Sequence, residues 1–272
     1  LPGLEQLLIF VLFGLLSGLI GGFLGVGGGT VYVPVLTAWF GAYQYLGVPF
    51  VTFIIGNSLF LTLISGLSGS WKQYKLGNFY LREVLWVGLS GAFTAGITSA
   101  LLQHAAWFDK KAFSIVFTII LLPLVVRMFL KKEAVQQQIP AARWQQLLAI
   151  GLMSGVVSAV TGLGGGVVMV PLLADYLGFP LRRASSVSLG AIVLMATTTV
   201  LWYALQFNAP RLSEWQVGML ALPAVVPMGI GVMLAAPWGV RLGAISKPIY
   251  TKTFFLLFFI LVILQMHFNI FG

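Results

Sequence analysis

The chain has 272 residues, 59% hydrophobic and 8% charged, with a formal net charge of +9 and no cysteine. Soluble domains carry roughly a quarter charged residues, so a chain this poor in charge belongs in lipid rather than water. Disulfides, thiolate metal sites and cysteine nucleophiles are excluded, and the basic residues lie in short loops beside apolar runs, a topological signal rather than a nucleic-acid surface.

Taken in chain order, long apolar stretches predict spanning helices near Leu4–Gly22, Pro49–Gly69, Val84–Leu102, Ala112–Leu130, Trp144–Val160, Ser185–Phe207, Gln216–Ala236 and Thr253–Phe271. Each approaches the ~20 residues that a helix needs to cross a bilayer. Outer-membrane strands would instead be short and alternating. Two shorter apolar stretches, Thr30–Ala42 and Val167–Leu177, follow glycine clusters and suit re-entrant segments. Trp39, Trp71, Trp107, Trp144, Trp215 and Trp238 fall at segment ends, as interfacial belts require. The first segment carries a glycine motif, which predicts a retained helix rather than a removable signal peptide. The expected fold class is an all-α integral membrane protein with about eight transmembrane helices and two re-entrant helical hairpins.

An internal repeat organises these segments. GLLSGLIGGFLGVGGGTVYVPVL (Gly14–Leu36) returns without a gap as GLMSGVVSAVTGLGGGVVMVPLL (Gly151–Leu173), 137 positions later, with 12 of 23 pairs identical. The halves are read as 1–130 and 144–272, joined by a polar cytoplasmic linker at 131–143. If each glycine unit crossed the membrane once, Lys and Arg would divide 8 to 7 between the two sides. If each is a hairpin that returns to its starting side, twelve fall on one side and only Lys110, Lys111 and Arg211 on the other. The positive-inside rule therefore selects hairpins and a cytoplasmic first side. The second half then runs inverted relative to the first, the glycine hairpins dip in from opposite faces, and both termini lie outside. Inverted repeats that meet near the midplane are a common architecture of secondary transporters.

Gly25, Gly27, Gly28 and Gly29 align with Gly162, Gly164, Gly165 and Gly166. A Gly-x-Gly-Gly-Gly run permits positive φ and gives a ligand access to main-chain N–H groups. Short helices starting near Thr30 and Val167 would aim their N-termini at the same spot, which favours an anion. Pro34 and Pro171 are expected in the first turn of these helices, where a missing N–H costs little. Gly14/Gly18 and Gly151/Gly155 form a small-x-x-x-small spacing, and there close helix packing is the better reading. A second matched pair, Ile54–Leu61 with Ser185–Ile192 under its own, shorter offset, adds Asn57, Ser58, Ser186 and Ser188 as candidate anion ligands. Capping or back-bonding is the equally weighted alternative for them. Thr197–Thr199 are expected to back-bond. Arg182 and Arg183 stand at the mouth of the sixth span as a possible anion entrance, beyond setting topology.

No span carries a carboxylate near its centre, which disfavours carboxylate-based proton coupling. An exported anion would not need it, because an inside-negative potential is worth ~2.3 kcal/mol per charge per 100 mV. No metal-ligand cluster, nucleophile–base pair or nucleotide loop is visible, so neither catalytic residues, a cofactor nor a metal is expected, and an enzyme is disfavoured. The glycine run also lacks the Lys-Ser/Thr ending of a phosphate loop.

The doubled motif GxxGxxxxxxGxGGG…P, with a (G/S)xSL stretch after each copy, resembles the TauE/SafE family of sulfite exporters and toluene-sulfonate uptake permeases across essentially the whole chain. The resemblance implies a bacterial inner-membrane transporter of small sulfur-containing anions such as sulfite, sulfoacetate or other organosulfonates. Matched by motif, it points to Gly25–Thr30, Gly162–Gly166, Asn57, Ser58, Ser186 and Ser188 as substrate positions. The halves differ where Phe53 and Ile54 stand opposite Arg183 and Ala184. The leading expectation is a carrier exporting the anion by alternating access. An anion channel and an uptake permease are the alternatives. The partners expected are the small anion and the bilayer, with no nucleic acid; the oligomeric state, the anion and the direction are left open.

Overall fold

The computed structural model describes residues 3–130 and 142–246, together with 253, 257 and 260. Among these residues there are nine α-helices: α1 (Leu4–Leu24), α2 (Gly29–Trp39), α3 (Val48–Lys75), α4 (Leu81–Leu102), α5 (Lys110–Leu130), α6 (Trp144–Thr161), α7 (Gly166–Pro171), α8 (Leu181–Ala204) and α9 (Leu222–Ile245). Six of them, α1, α3, α4, α6, α8 and α9, are long and apolar enough to cross a membrane. Of the eight spans expected, α5 is helical over 21 residues but is not among those six. The stretch Thr253–Phe271 lies, apart from 253, 257 and 260, outside the described residues.

Two expected elements differ from the reading of the sequence. Gln216–Ala236 does not begin as helix. Gln216–Val217 and Leu220–Ala221 pair as a two-stranded antiparallel hairpin, which turns at Gly218 with φ of 57°. A positive φ of that kind breaks a helix but suits glycine, and α9 starts only at Leu222. Pro34 and Pro171 each fall at the sixth residue of their helix rather than in its first turn. Proline there removes an interior N–H. After Pro171 the chain widens into a π-helical turn, Leu172–Tyr176, closed by Leu177 N–H donating to Leu172 O at 3.2 Å.

Burial orders the helices. Through their most apolar windows α3 is 78% and α8 72% buried, against 39% for α1 and 33% for α4. The first pair is central and the second peripheral. Leu4, Leu8, Leu12 and Leu16 on α1, and Leu85, Leu89, Phe93, Ile97 and Leu101 on α4, form exposed stripes. Such faces, charge-free and at helical spacing, suit lipid. The chain is a multi-pass membrane protein.

Packing crosses between the two halves. The most extensive neighbour of α1 is α9, and that of α6 is α4; α4 also packs on α8, α3 on α9, and α3 on α8. Gly14, Gly18 and Gly22 face the backbone of Met228, Val232 and Ala236, so α1 and α9 run parallel. Gly151 and Gly155 face Val87 and Gly91 in the same way on α4. A Cβ at Gly18 would come within 2.7 Å of Val232 Cα, and one at Gly14 or Gly155 would overlap a facing carbonyl. The small-x-x-x-small reading therefore holds: these glycines bring backbones into contact, which is how helices associate in lipid. In contrast, α3 and α8 run antiparallel, Gly56 lying against Tyr203 and Gly69 against Leu189.

Candidate functional site

Each glycine run ends one long helix and starts a short one. Gly25 (φ 74°) and Gly162 (φ 72°) are left-handed C-caps of α1 and α6, donating to Gly21 O and Ser158 O. Gly28 (φ 80°) and Gly165 (φ 74°) are left-handed N-caps of α2 and α7. Residues with a Cβ avoid these conformations, so the run of glycines is a backbone requirement. The helical ladder resumes with Val31 N–H on Gly28 O and Val168 N–H on Gly165 O. Between cap and ladder, the N–H groups of Gly27–Thr30 and Gly164–Val167 make no backbone bond among the described residues.

The two turns meet. A Cβ built on Gly29 would lie 2.6 Å from Leu163 Cα, and one on Gly166 would lie 2.7 Å from Val26 Cα. Val26 and Leu163 are equivalent positions of the repeat, so the contact is reciprocal. Each turn also touches a long helix of the other half: Gly25 faces Ser185 on α8, and Gly162 faces Ile55 on α3. Thr62 of α3 and Ile192 of α8 fill the space between the turns, both reaching toward Gly27 and Gly164. All residues of both turns are buried.

The other expected ligands divide. Ser58 donates to Gly162 O at 2.7 Å and fixes the second turn. Its counterpart Ser188 is fully buried without a hydrogen-bond partner, and its Oγ would lie 2.9 Å from a Cβ on Gly166. Asn57 and Ser186 serve elsewhere. Asn57 donates to Phe53 O at 2.7 Å and Met219 O at 2.8 Å and accepts from Ala221 N–H at 2.7 Å, so it braces the 216–221 hairpin and has no donor to spare. Ser186 donates to Asn78 O in the link between α3 and α4. Of the two arginines, Arg182 is exposed. Arg183 pairs with Glu83, its guanidinium 4.7 Å from the Tyr80 ring centre and 4.2 Å from that of Phe179. At the position equivalent to Arg183, Phe53 packs edge-on against Phe40 at 5.0 Å.

Several hydroxyls in the bundle bond to the preceding helical turn. Thr197, Thr198 and Thr199 bond to Val193, Leu194 and Met195 carbonyls, as expected for such residues in apolar helices. Other hydroxyls have no partner among the described residues: Ser70, Ser99 and Tyr203 away from the turns, and Ser154 and Ser158 on α6. Thr30, Thr62 and Ser65, like Ser188, are buried and lack a partner. The hydroxyl of Tyr32 is buried beside Ser17 and Ser65, without a well-formed hydrogen bond. An unpaired buried hydroxyl costs about 1–3 kcal/mol. The sequence reading missed Tyr32, Thr62 and Ser65. The signal available was the asymmetry of the repeat, which sets Tyr32 opposite Met169 and Thr62 opposite Ile192. Among the described residues no group of three or more His, Cys, Asp or Glu could hold a metal.

The family model for the sulfite exporter TauE/SafE matches residues 10–266. A probable membrane transporter protein of Methanocaldococcus jannaschii is 24% identical over 88% of this chain and 87% of its own length. One from Haemophilus influenzae is 25% identical over 96% and 97%, and one from Bacillus subtilis 26% identical over 94% of each. No solved structure matches the chain. With nearly the whole chain inside one family model and glycine turns as its buried centre, the protein belongs to the TauE/SafE sulfite exporter family of membrane transporters.

Proposed function

We propose that the chain is a secondary transporter of small sulfur-containing oxyanions, such as sulfite, sulfoacetate or a related organosulfonate, which it exports across a bacterial inner membrane by alternating access. The observation that carries this reading is the reciprocal meeting of the two glycine turns, each with a run of backbone N–H groups outside any ladder. Donors of that kind bind an anion without a buried cation. Gly25, Gly27, Gly28, Gly29 and Thr30 supply one set, and Gly162, Gly164, Gly165 and Gly166 the other. Ser58 and Ser188 support the turns or the anion, while Asn57 and Ser186 position the surrounding loops. Arg182 and Arg183 mark the cytoplasmic mouth.

The halves 1–130 and 144–272, linked through 131–143, act in this proposal as inverted repeats with both termini outside. The antiparallel course of the equivalent helices α3 and α8 supports it, as does the exchange of α1 and α6 onto helices of the opposite half. Alternating access would then rock one set of helices about the paired turns. The test is counterflow of radiolabelled sulfite in proteoliposomes. Saturable exchange that is accelerated by unlabelled sulfite on the opposite side is expected. Flux that does not saturate and carries large unitary currents would instead indicate a channel, and absence of any flux or binding of sulfur oxyanions would remove the proposal.

A further inference from the structure

We infer that the antiparallel pair α3–α8 is locked at both ends and that each lock is a gate. Asn57 holds the 216–221 hairpin shut over one end of the site, and Ser186 holds the 76–80 link shut over the other. The inference rests on the inverted-repeat reading above. Each lock is built to the same plan. The chain leaving α3 returns Asn78 N–H to Gln73 O at 3.0 Å, and the chain leaving α8 returns Met219 N–H to Tyr203 O at 2.9 Å. Gln73 and Tyr203 are equivalent under the offset that aligns Ser58 with Ser188. The carbonyl of each returning residue then accepts a side chain from the opposite half: the Ser186 hydroxyl on Asn78 O, and the Asn57 amide on Met219 O at 2.8 Å. Ser186 aligns with Gly56, one position from Asn57, so the locks share a plan but not a residue.

Asn57 and Gln73 stand 16 residues apart on α3, about 24 Å of helix, against the ~30 Å of a hydrocarbon core. Thr62 and Ile192, which touch the glycine turns, lie between the locks on α3 and α8. Loops between spans ordinarily lie in water, yet Met219, Leu220 and Ala221 are buried, so the hairpin is folded in over the helix ends. Both locks are made at once and every residue of the turns is buried; breaking one lock opens one face. The locks differ in strength. Asn57 is fully buried and also bonds Phe53 O and Ala221 N–H. Ser186 supplies one hydroxyl, and its neighbours in the lock, Asn78 on Arg182 O at 3.2 Å and the Arg183–Glu83 pair, keep access to solvent. Bonds that water can replace cost less to break, so the 76–80 end yields the more easily.

The chain has no cysteine, so Thr62→Cys supplies a single buried reporter beside the turns. Its rate of reaction with a charged, membrane-impermeant methanethiosulfonate is measured on intact cells and on inside-out vesicles, without substrate. Asn57→Ala is expected to raise the rate about a hundredfold from outside only, the loss of two hydrogen bonds, and Ser186→Ala about tenfold from the cytoplasmic side only, the loss of one. Thr197→Val, which removes an exposed back-bonded hydroxyl on α8, should leave both rates unchanged. A merely structural role would raise both rates together. Both variants opening the same face, or folded variants opening neither, overturns the inference. If Asn57→Ala does not fold, Ser186→Ala decides, and acceleration from both sides alike, or from neither, overturns it. Opposite faces in exchanged order would uphold the locks and reverse the proposed sidedness. Because no substrate is present, failure of sulfite counterflow would remove the oxyanion reading and leave this result standing.

Discussion

The turn at Gly25–Gly29 and the turn at Gly162–Gly166 share a backbone but not a chemistry. Their left-handed glycines agree within about ten degrees in φ, 74°, 82° and 80° against 72°, 76° and 74°. Around them Thr30, Tyr32 and Thr62 in one half face Val167, Met169 and Ile192 at the equivalent positions of the other. Duplication fixes the main chain because only glycine tolerates these dihedrals beside a second backbone. Side chains that touch a guest rather than the fold are free to diverge. In the proposed function the shared part supplies the binding frame.

The shared part can be broken hardest. Gly28→Val and Gly165→Val each put a branched side chain at a positive φ, against Tyr32 and the Ser17 carbonyl in one turn and the Ser154 carbonyl in the other. Both should reduce sulfite counterflow on the order of a thousandfold while insertion is retained. Full transport by either variant would remove the glycines from the binding frame. Next in size, Asn57→Leu leaves Met219 O and Ala221 N–H without their partner and should cost about 2–3 kcal/mol in detergent unfolding. Ser186→Ala, at the loop between α3 and α4, breaks one bond and should cost about 1 kcal/mol. Equal losses would mean that the two loop anchors bear alike on stability.

Gly18→Val and Gly155→Val test whether the exchanged helix pairs are alike. Each overfills a backbone contact and should destabilise by about 1–3 kcal/mol, to a similar extent if α1–α9 and α6–α4 are equivalent. The smallest effect is expected where the halves differ at the surface. A double-mutant cycle of Arg183→Gln and Glu83→Gln should give a coupling of about 1 kcal/mol, since both side chains keep partial access to solvent. A coupling near zero would leave Arg183 held by Tyr80 and Phe179 alone.

Most of the long helices could be read from hydropathy alone, because a bilayer imposes length and apolarity on whatever crosses it. Gly14 and Gly18 could be read as packing positions, and Thr197–Thr199 as back-bonded, because both effects act within one or two helical turns. The hairpin at 216–221 could not. Its residues are as apolar as a span, and what turns them is the φ at Gly218 together with anchoring by Asn57, 162 and 164 positions away. Asn57 likewise looked like a free amide, because nothing local to α3 shows that Met219 and Ala221 come to it.

By itself the sequence determined that this chain lives in a membrane, that one glycine-rich stretch occurs twice, and that the helix breaks at each run of glycines. Those properties follow from composition and spacing, which act on any conformation the chain adopts. Which turn touches which, and which hydroxyls are left unpaired between them, was decided by tertiary structure. Contacts such as Gly29 with Leu163, or Thr62 with Gly164, join residues more than a hundred positions apart. They exist only once α3 and α8 have packed antiparallel and brought the two turns together.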